Sequence, residues 1–410
     1  MRKMKSSKIT RYSRSVSSLR TSEIRDLMGL ATRPDIISFA GGMPGNELFP
    51  VEEIDEIYNN LPLDIKQTAF QYGPTPGYPP LLESLKEYLK KKGMPVETNK
   101  LMITTGSLQA INILAKVFID PEDLVITENP CFIGGISAFK SYQANLKGID
   151  LDDDGIDIFS LKSFLNGTKS KPPKFIYLTP NFHNPAGTLY TEQRKRELVP
   201  VLQEHDLMLI EDDAYGELYF DEEARKRVVP LKALYESQLD ICYTSTFSKI
   251  LGPGFRLGWM LVPPEIYQKA ELCKQSMDAC SPNFTQVLAN EFLRSGEMDL
   301  YIQKMRIIYK RRKDTMARAI QKYFPDEITW EEPKGGFYIW LKLPPKIDIM
   351  SVLKASIEKG AVFVIGKTFD PEGKDNSHFR LAYSHTPEDK IEKGIHILGD
   401  CLKEALNLSR

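Results

Sequence analysis

The stretch from about residue 100 to 265 constrains the fold most: short β-branched runs alternate there with helix-length segments. LMITT (101–105) precedes a helix-like run beginning near Ser107, and DLVIT (123–127) follows it. KFIYLTP (174–180) precedes TEQRKRELVPVLQEH (191–205), whose apolar positions recur at helical spacing. LMLIEDDAY (207–215), DICYTST (240–246) and GWMLV (258–262) complete the series. Strands separated by helices of this length predict an α/β domain with a largely parallel sheet covered on both faces. Residues 265–323 read as long helices. ITWEEP (328–333) and GGFYIWLKLP (335–344) then read as strands, with helical periodicity at 350–360. A smaller α+β domain is expected to follow the large one.

Bulk properties exclude several classes. With 42% hydrophobic and 27% charged residues the chain reads as an ordinary soluble globular protein. A net charge of -1 supplies no electrostatic reason to expect nucleic acid or an acidic membrane as partner. No run approaches the roughly 18 to 20 apolar residues that span a bilayer. The five cysteines form no CxxC and the five histidines no HxxxH or HExxH, so no metal site is expected. An odd cysteine count suits a reducing cytoplasm. Seven basic residues and no acid lie between Met1 and Arg20. Such a start shares its composition with organellar transit peptides, and the simpler expectation is a basic arm.

The polar residues of interest fall at the carboxyl ends of predicted strands, where open parallel sheets bind ligands. Gly106-Ser107 follows LMITT, and Asn184-Pro185-Ala186-Gly187 follows KFIYLTP. Asp212 and Tyr215 follow LMLIE, while Thr246, Ser248, Lys249 and Arg256 follow DICYT. Gly106-Ser107 opening a helix offers unpaired N–H groups and a positive dipole end, a seat for phosphate. Thr246, Ser248 and Arg256 add hydroxyl donors and a guanidinium. Asp212 at a strand end suits a protonated heteroaromatic nitrogen. Lys249 among cations could have the lowered pKa that Schiff-base chemistry needs. Phosphate, pyridinium, phenolate oxygen and aldehyde together describe pyridoxal phosphate.

STFSKILGPGFRLGW (245–259) resembles the cofactor-lysine segment of fold-type I aminotransferases of class I/II. PNFHNPAGT (180–188) resembles their Asn-Pro-x-Gly turn, and EDDAYGEL (211–218) their Asp-x-Ala-Tyr strand end. ISFAGGMPGNELFP, QYGPTPGYPPLL, TTGSLQAI, PKGGFYIW and FRLAYS also match, in the family's order. The chain is similar to this family over nearly its whole length after about residue 20, and most of all to the 2-aminoadipate and kynurenine aminotransferase branch.

The resemblance implies roles by matched position. Lys249 would bind pyridoxal phosphate as a Schiff base and then shuttle the substrate proton. Asp212 would pair with the pyridine N–H, and Asn184 and Tyr215 would bond the ring oxygen. Ser107, Leu108 (through its backbone N–H), Thr246, Ser248 and Arg256 would hold the phosphate, with Phe132 stacked on the ring. Arg380 would grip the substrate α-carboxylate, with Asn184 and Gly42 beside it. Tyr72 would reach the phosphate of a neighbouring subunit, which implies a homodimer with shared sites. Arg25, in SEIRDL, resembles a reader of a distal carboxylate. The implied layout is a basic arm (1–20), a segment packing on the small domain and the active site (21–62), a large cofactor-binding domain (63–295) and a small domain (296–410). Three positions depart from the family pattern: Thr246 for serine, Phe132 for tyrosine, and His183 where glutamine is frequent.

Two decoys fall away. GAVFVIGKT (360–368) has one residue too many for a P-loop and reads as a strand. GPGFRLG, from Gly252, lacks the strand-to-helix setting of a dinucleotide fingerprint. The expected activity is transfer of an amino group from an L-amino acid to a 2-oxo acid, 2-oxoglutarate foremost, with a broad, 2-aminoadipate, aromatic or branched-chain donor range. A β-lyase or decarboxylase on the same cofactor is the alternative. An aminotransferase-like regulatory domain is more remote. Such a regulator is expected to carry a helix-turn-helix module ahead of the matching segments, where this sequence has about twenty residues.

Overall fold

The computed structural model describes residues 12–17, 33, 35–168 and 171–408. Strands are numbered in chain order from a short β1 (Ile37–Ser38). The main sheet comprises β2 (Lys100–Thr104), β3 (Leu124–Asn129), β4 (Asn145–Asp152), β5 (Gly155–Ile156), β6 (Ile176–Leu178), β7 (Leu209–Asp212), β8 (Ile241–Thr246) and β9 (Gly258–Val262). Their spatial order is β2-β9-β8-β7-β6-β3-β4-β5. The inner run from β4 to β8 is parallel. Both faces of β3, β6, β7 and β8 are buried because their residues alternate between two apolar layers. Val125, Tyr177, Ile210 and Cys242 pack on one side with Ile111, Leu114 and Phe139, from the helices Ser107–Phe118 and Ile133–Ser141. Ile126, Ile176, Leu209 and Ile241 pack on the other with Leu161, Leu198 and Leu202, from the helices Ile158–Gly167 and Glu192–Glu204.

One strand departs from the parallel expectation. β9 runs antiparallel to both β8 and β2. The residues joining β8 to β9 form two short 3₁₀ turns, Phe247–Lys249 and Pro253–Phe255, and no crossover helix, so the chain can only turn back. Because β2 and β8 both oppose β9, their carboxyl ends share one edge. Thr104, Gly258 and Thr246 stand side by side across the three strands.

A second sheet, β10 (Thr329–Trp330), β11 (Tyr338–Lys342), β14 (His378–Ala382) and β13 (Val364–Ile365), is antiparallel in that order. β1 pairs in parallel with β12 (Ala361–Val362), which ties the 37–48 segment to this C-terminal unit. The stretch read as a P-loop decoy is strand at β12 and β13. The helix Glu297–Tyr323 packs along the helix Glu388–Leu408 behind the sheet. No helix of the described residues is long and apolar enough to cross a membrane.

Gly258 permits the tightest approach in the main sheet. A Cβ there would lie 2.6 Å from Gly106 C and Ser107 N and 2.8 Å from Ser245 O, all backbone atoms. Gly258→Ala must push β9 away from the start of the helix Ser107–Phe118. The expected loss is about 1–3 kcal/mol of stability, the usual range for overpacking. Urea unfolding measures it; an unchanged midpoint would show that the contact yields freely.

Candidate active site

The row Thr104–Gly258–Thr246 sets three backbone elements around one small volume. Gly106, at φ +77, turns the chain from β2 so that Ser107 opens its helix with free N–H groups facing the edge. Thr246 accepts the Ser248 N–H at 3.1 Å, and its hydroxyl lies 2.9 Å from that of Ser248. Arg256 sits in the left-handed region at φ +52, with Nη2 3.5 Å from Thr105 O. Arg256, Ser107, Thr246 and Ser248 therefore meet at one end of the crevice.

Of the consecutive acids Glu211, Asp212 and Asp213, all buried, one is aimed at the crevice. Glu211 accepts the N–H groups of Leu231 and Lys232 at 2.7 and 2.8 Å, capping the helix Leu231–Tyr235. Asp213 accepts from Asn181, Tyr243 and Gly216 at 3.0–3.1 Å. Asp212 takes one strong bond, from the Tyr177 hydroxyl at 2.6 Å, and a long one from Thr244 at 3.3 Å. Burial raises the Asp212 carboxyl to about 6 against the opposing Tyr177 bond, and Asp213 adds to the rise. A buried carboxylate short of donors is a seat for a proton-bearing ligand atom.

Lys249 closes the first 3₁₀ turn, and its Nζ donates to Gly42 O at 2.8 Å. The amine lies 5.4 Å from the Phe337 ring and 5.7 Å from the Tyr215 ring. Burial lowers its pKa to about 8, with Arg380 and then Arg256 adding to the fall. The Tyr215 hydroxyl is 2.9 Å from that of Tyr338, and burial keeps the Tyr215 phenol protonated. A side chain at Gly42 would collide with the Tyr338 hydroxyl, which is why the chain can pass so close to Lys249.

Arg380, 3% exposed on β14, brings the C-terminal sheet to the same crevice. Nη1 donates to Asn184 Oδ1 at 2.8 Å and Nη2 to Ala40 O at 2.5 Å, while Nε has no partner among the described residues. The guanidinium stacks on the rings of Tyr338 and Phe369 at 4.3 and 4.7 Å. A buried guanidinium held from behind, with a donor unmet, is built to receive an anion.

Other expected residues lie further out. Phe132 precedes the helix Ile133–Ser141, partly buried beside Leu108, whose side chain is 42% exposed. Tyr72 is 85% exposed, and its backbone N–H donates to Gln71 Oε1 at 2.9 Å. Arg25 lies outside the described residues. Tyr177 and Tyr338 escaped the sequence reading. Nothing in KFIYLTP distinguishes Tyr177 from a core aromatic, and Tyr338 stands in a run that reads as a plain strand. Only their hydroxyl partners reveal them.

The residues present fit pyridoxal phosphate. The under-bonded Asp212, the near-neutral Lys249 amine and the hydroxyl and guanidinium cluster at the helix start match a ring nitrogen, an aldehyde and a phosphate. A lysine whose pKa is lowered is reactive once the pH exceeds that value. Covalent capture of pyridoxal phosphate by the cofactor-free protein should therefore rise with pH around a midpoint near 8. Arg380→Ala should move that midpoint up, since Arg380 lowers it. Rapid-mixing absorbance measures both, and a midpoint above 10 in the unaltered protein contradicts the geometry.

Residues 36–398 match the family described as aminotransferase class I and II. Aromatic-amino-acid aminotransferase 1 of Thermococcus litoralis is 36% identical over 398 residues, covering 96% of this chain and 94% of its own. The kynurenine aminotransferase of Pyrococcus horikoshii, solved in complex with PMP, superposes with a TM-score of 0.92 at 38% identity, covering 97% of this chain and 98% of that one. LysN, the alpha-aminoadipate aminotransferase of Thermus thermophilus, solved with N-(5'-phosphopyridoxyl)-L-leucine, gives 0.88 at 32% identity, with 97% and 98% covered. Sheet order, crevice chemistry and these similarities agree: the chain belongs to the class I and II aminotransferases, fold type I enzymes that depend on pyridoxal phosphate.

Proposed function

We propose that this aminotransferase takes its amino group from a range of L-amino acids, 2-aminoadipate, aromatic and branched-chain ones among them, and delivers it to 2-oxoglutarate. The buried Arg380 carries the reading. Its unmet Nε and its place across the crevice from Lys249 suit the one group every amino acid and 2-oxo acid shares, the α-carboxylate. The names of the similar proteins, for aromatic amino acids, kynurenine and aminoadipate, support the donor range.

When bound, pyridoxal phosphate supplies an electron sink for the carbanion left at the substrate Cα. The chain does the rest. Ser107, the Leu108 N–H, Thr246, Ser248 and Arg256 hold the phosphate, and Phe132 stacks on the ring. Asp212 keeps a proton on the ring nitrogen, with Tyr177 orienting it. Asn184 and Tyr215 bond the ring oxygen. Lys249, neutral at mildly basic pH, removes the Cα proton and returns it. Arg25 reads a distal carboxylate, and Gly42 leaves room for the substrate. Tyr72, with its side chain exposed, completes the site of a second copy in a homodimer. Five cysteines, none in a disulfide, suit the cytoplasm.

Absorption during titration with single amino acids tests the chemistry. The visible band of the bound cofactor should fade with each donor and return with 2-oxoglutarate, and initial rates should give parallel double-reciprocal lines. Arg25→Ala should slow glutamate and 2-aminoadipate relative to leucine. A band that no amino acid moves would sink the reading. Shared sites predict that Lys249→Ala and Tyr72→Ala, each nearly inactive alone, regain up to about a quarter of full activity when mixed as re-formed dimers. No recovery would place Tyr72 outside the partner's site.

A further inference from the structure

His183, the departure from the family pattern, lies at the root of the Asn184–Gly187 turn and is fully buried. Its backbone anchors the turn: its N–H donates to Thr188 O at 2.9 Å, and its carbonyl accepts the Gly187 N–H at 2.6 Å. Its ring points away from the crevice, into the core. There Nδ1 accepts the Ala186 N–H at 3.1 Å. A nitrogen that accepts carries no proton, so the ring is the neutral tautomer with its proton on Nε2. That nitrogen lies 3.2 Å from Glu128 Oε2, at an angle too oblique for a formed hydrogen bond.

Glu128 is also fully buried, near the end of β3. The Tyr190 hydroxyl donates to Oε1 at 2.7 Å and the Thr179 N–H to Oε2 at 2.8 Å. A carboxylate there needs every donor it can find, and the positive edge of the His183 ring supplies the remaining attraction. Asn184, the next residue, turns its side chain the opposite way, into the crevice, where Oδ1 holds Arg380 at 2.8 Å. One residue grips the core and its neighbour grips the guanidinium.

We propose that His183, braced on Glu128, is a positioning residue that sets Asn184 and through it Arg380. Asn184 has one amide oxygen, given to Arg380, and one amide nitrogen free for the cofactor's ring oxygen. A shift of the turn misplaces both contacts together. The effect should therefore appear in substrate carboxylate binding and in the electronic state of the cofactor, which a merely space-filling histidine would leave alone. This inference rests on the roles proposed above for Asn184 and Arg380.

Three variants test it. His183→Gln carries an amide N–H about where Nε2 stands. His183→Asn can replace Nδ1 at Ala186 but falls short of Glu128. His183→Leu replaces neither. The leucine and asparagine variants should raise KM for the amino donor about tenfold, the factor carried by the one Asn184–Arg380 hydrogen bond that the turn positions. They should lower kcat less. The pH midpoint of the cofactor's visible band should rise by about one unit, because a donor on the ring oxygen withdraws electron density and its loss restores basicity. His183→Gln should return both readouts towards the unaltered protein. The brace is refuted if glutamine is as damaging as asparagine, or if the variants lose thermal stability while KM and the midpoint stay put. Should the leucine variant not fold, the glutamine and asparagine pair decides alone. Asn184→Ala separates the two levels: if it moves neither readout, the Asn184 role fails; if it moves both and the His183 variants move neither, the brace fails.

Discussion

β9 passes so close to the start of the helix Ser107–Phe118 that position 258 has no room for a side chain. The approach is imposed by the tight return from β8 to β9, and it draws Ser107 and Thr246 to either side of one strand. A wider return would separate the helix N-terminus from the hydroxyl cluster, leaving half a phosphate seat on each. Lys249 lies within the same return, so the segment that closes the seat also delivers the amine.

Several charges buried elsewhere are held by two or three bonds each, whereas those in the crevice have fewer. Lys195 donates to the carbonyls of Arg227 and Val229 at 2.6 and 2.8 Å. Lys232 is held by Asn99, Ile241 O and Glu236, and Glu211 by two backbone N–H groups. These are structural solutions to burial. Asp212 and Arg380 are buried and Lys249 partly so, yet each keeps bonding capacity in reserve. A low-dielectric setting makes that unmet capacity costly without ligands, and correspondingly selective for a cofactor with a cationic ring nitrogen and an aldehyde and for a substrate with a carboxylate.

The fold class was legible because burial on both faces forces unbroken apolar runs such as FIYL and LMLI, which periodicity detects. β5, at the edge of the main sheet, and its neighbour β4 were not named from the sequence. NLKGIDLD mixes lysine and aspartate through a half-exposed strand, and its pattern matches no single template. The antiparallel course of β9 was equally hidden, since GWMLV reads the same in either direction. In the site, residues inside local motifs could be singled out. Tyr177, Tyr338 and Glu128 could not, because their importance lies in a partner 35, 123 and 55 positions away, at Asp212, Tyr215 and His183.

By itself the sequence determined the inner strands of the large sheet and the helices between them, which strand ends carry polar residues, and that the set suits a phosphorylated aldehyde cofactor. These are local matters of spacing, turn chemistry and side-chain type. Tertiary structure decided the rest: which of the three consecutive acids faces the crevice, what lowers the Lys249 pKa, and that Asn184 holds Arg380 through its amide oxygen. Those outcomes depend on burial and on neighbours from distant segments, since electrostatic effects in a protein follow distance through space rather than separation along the chain.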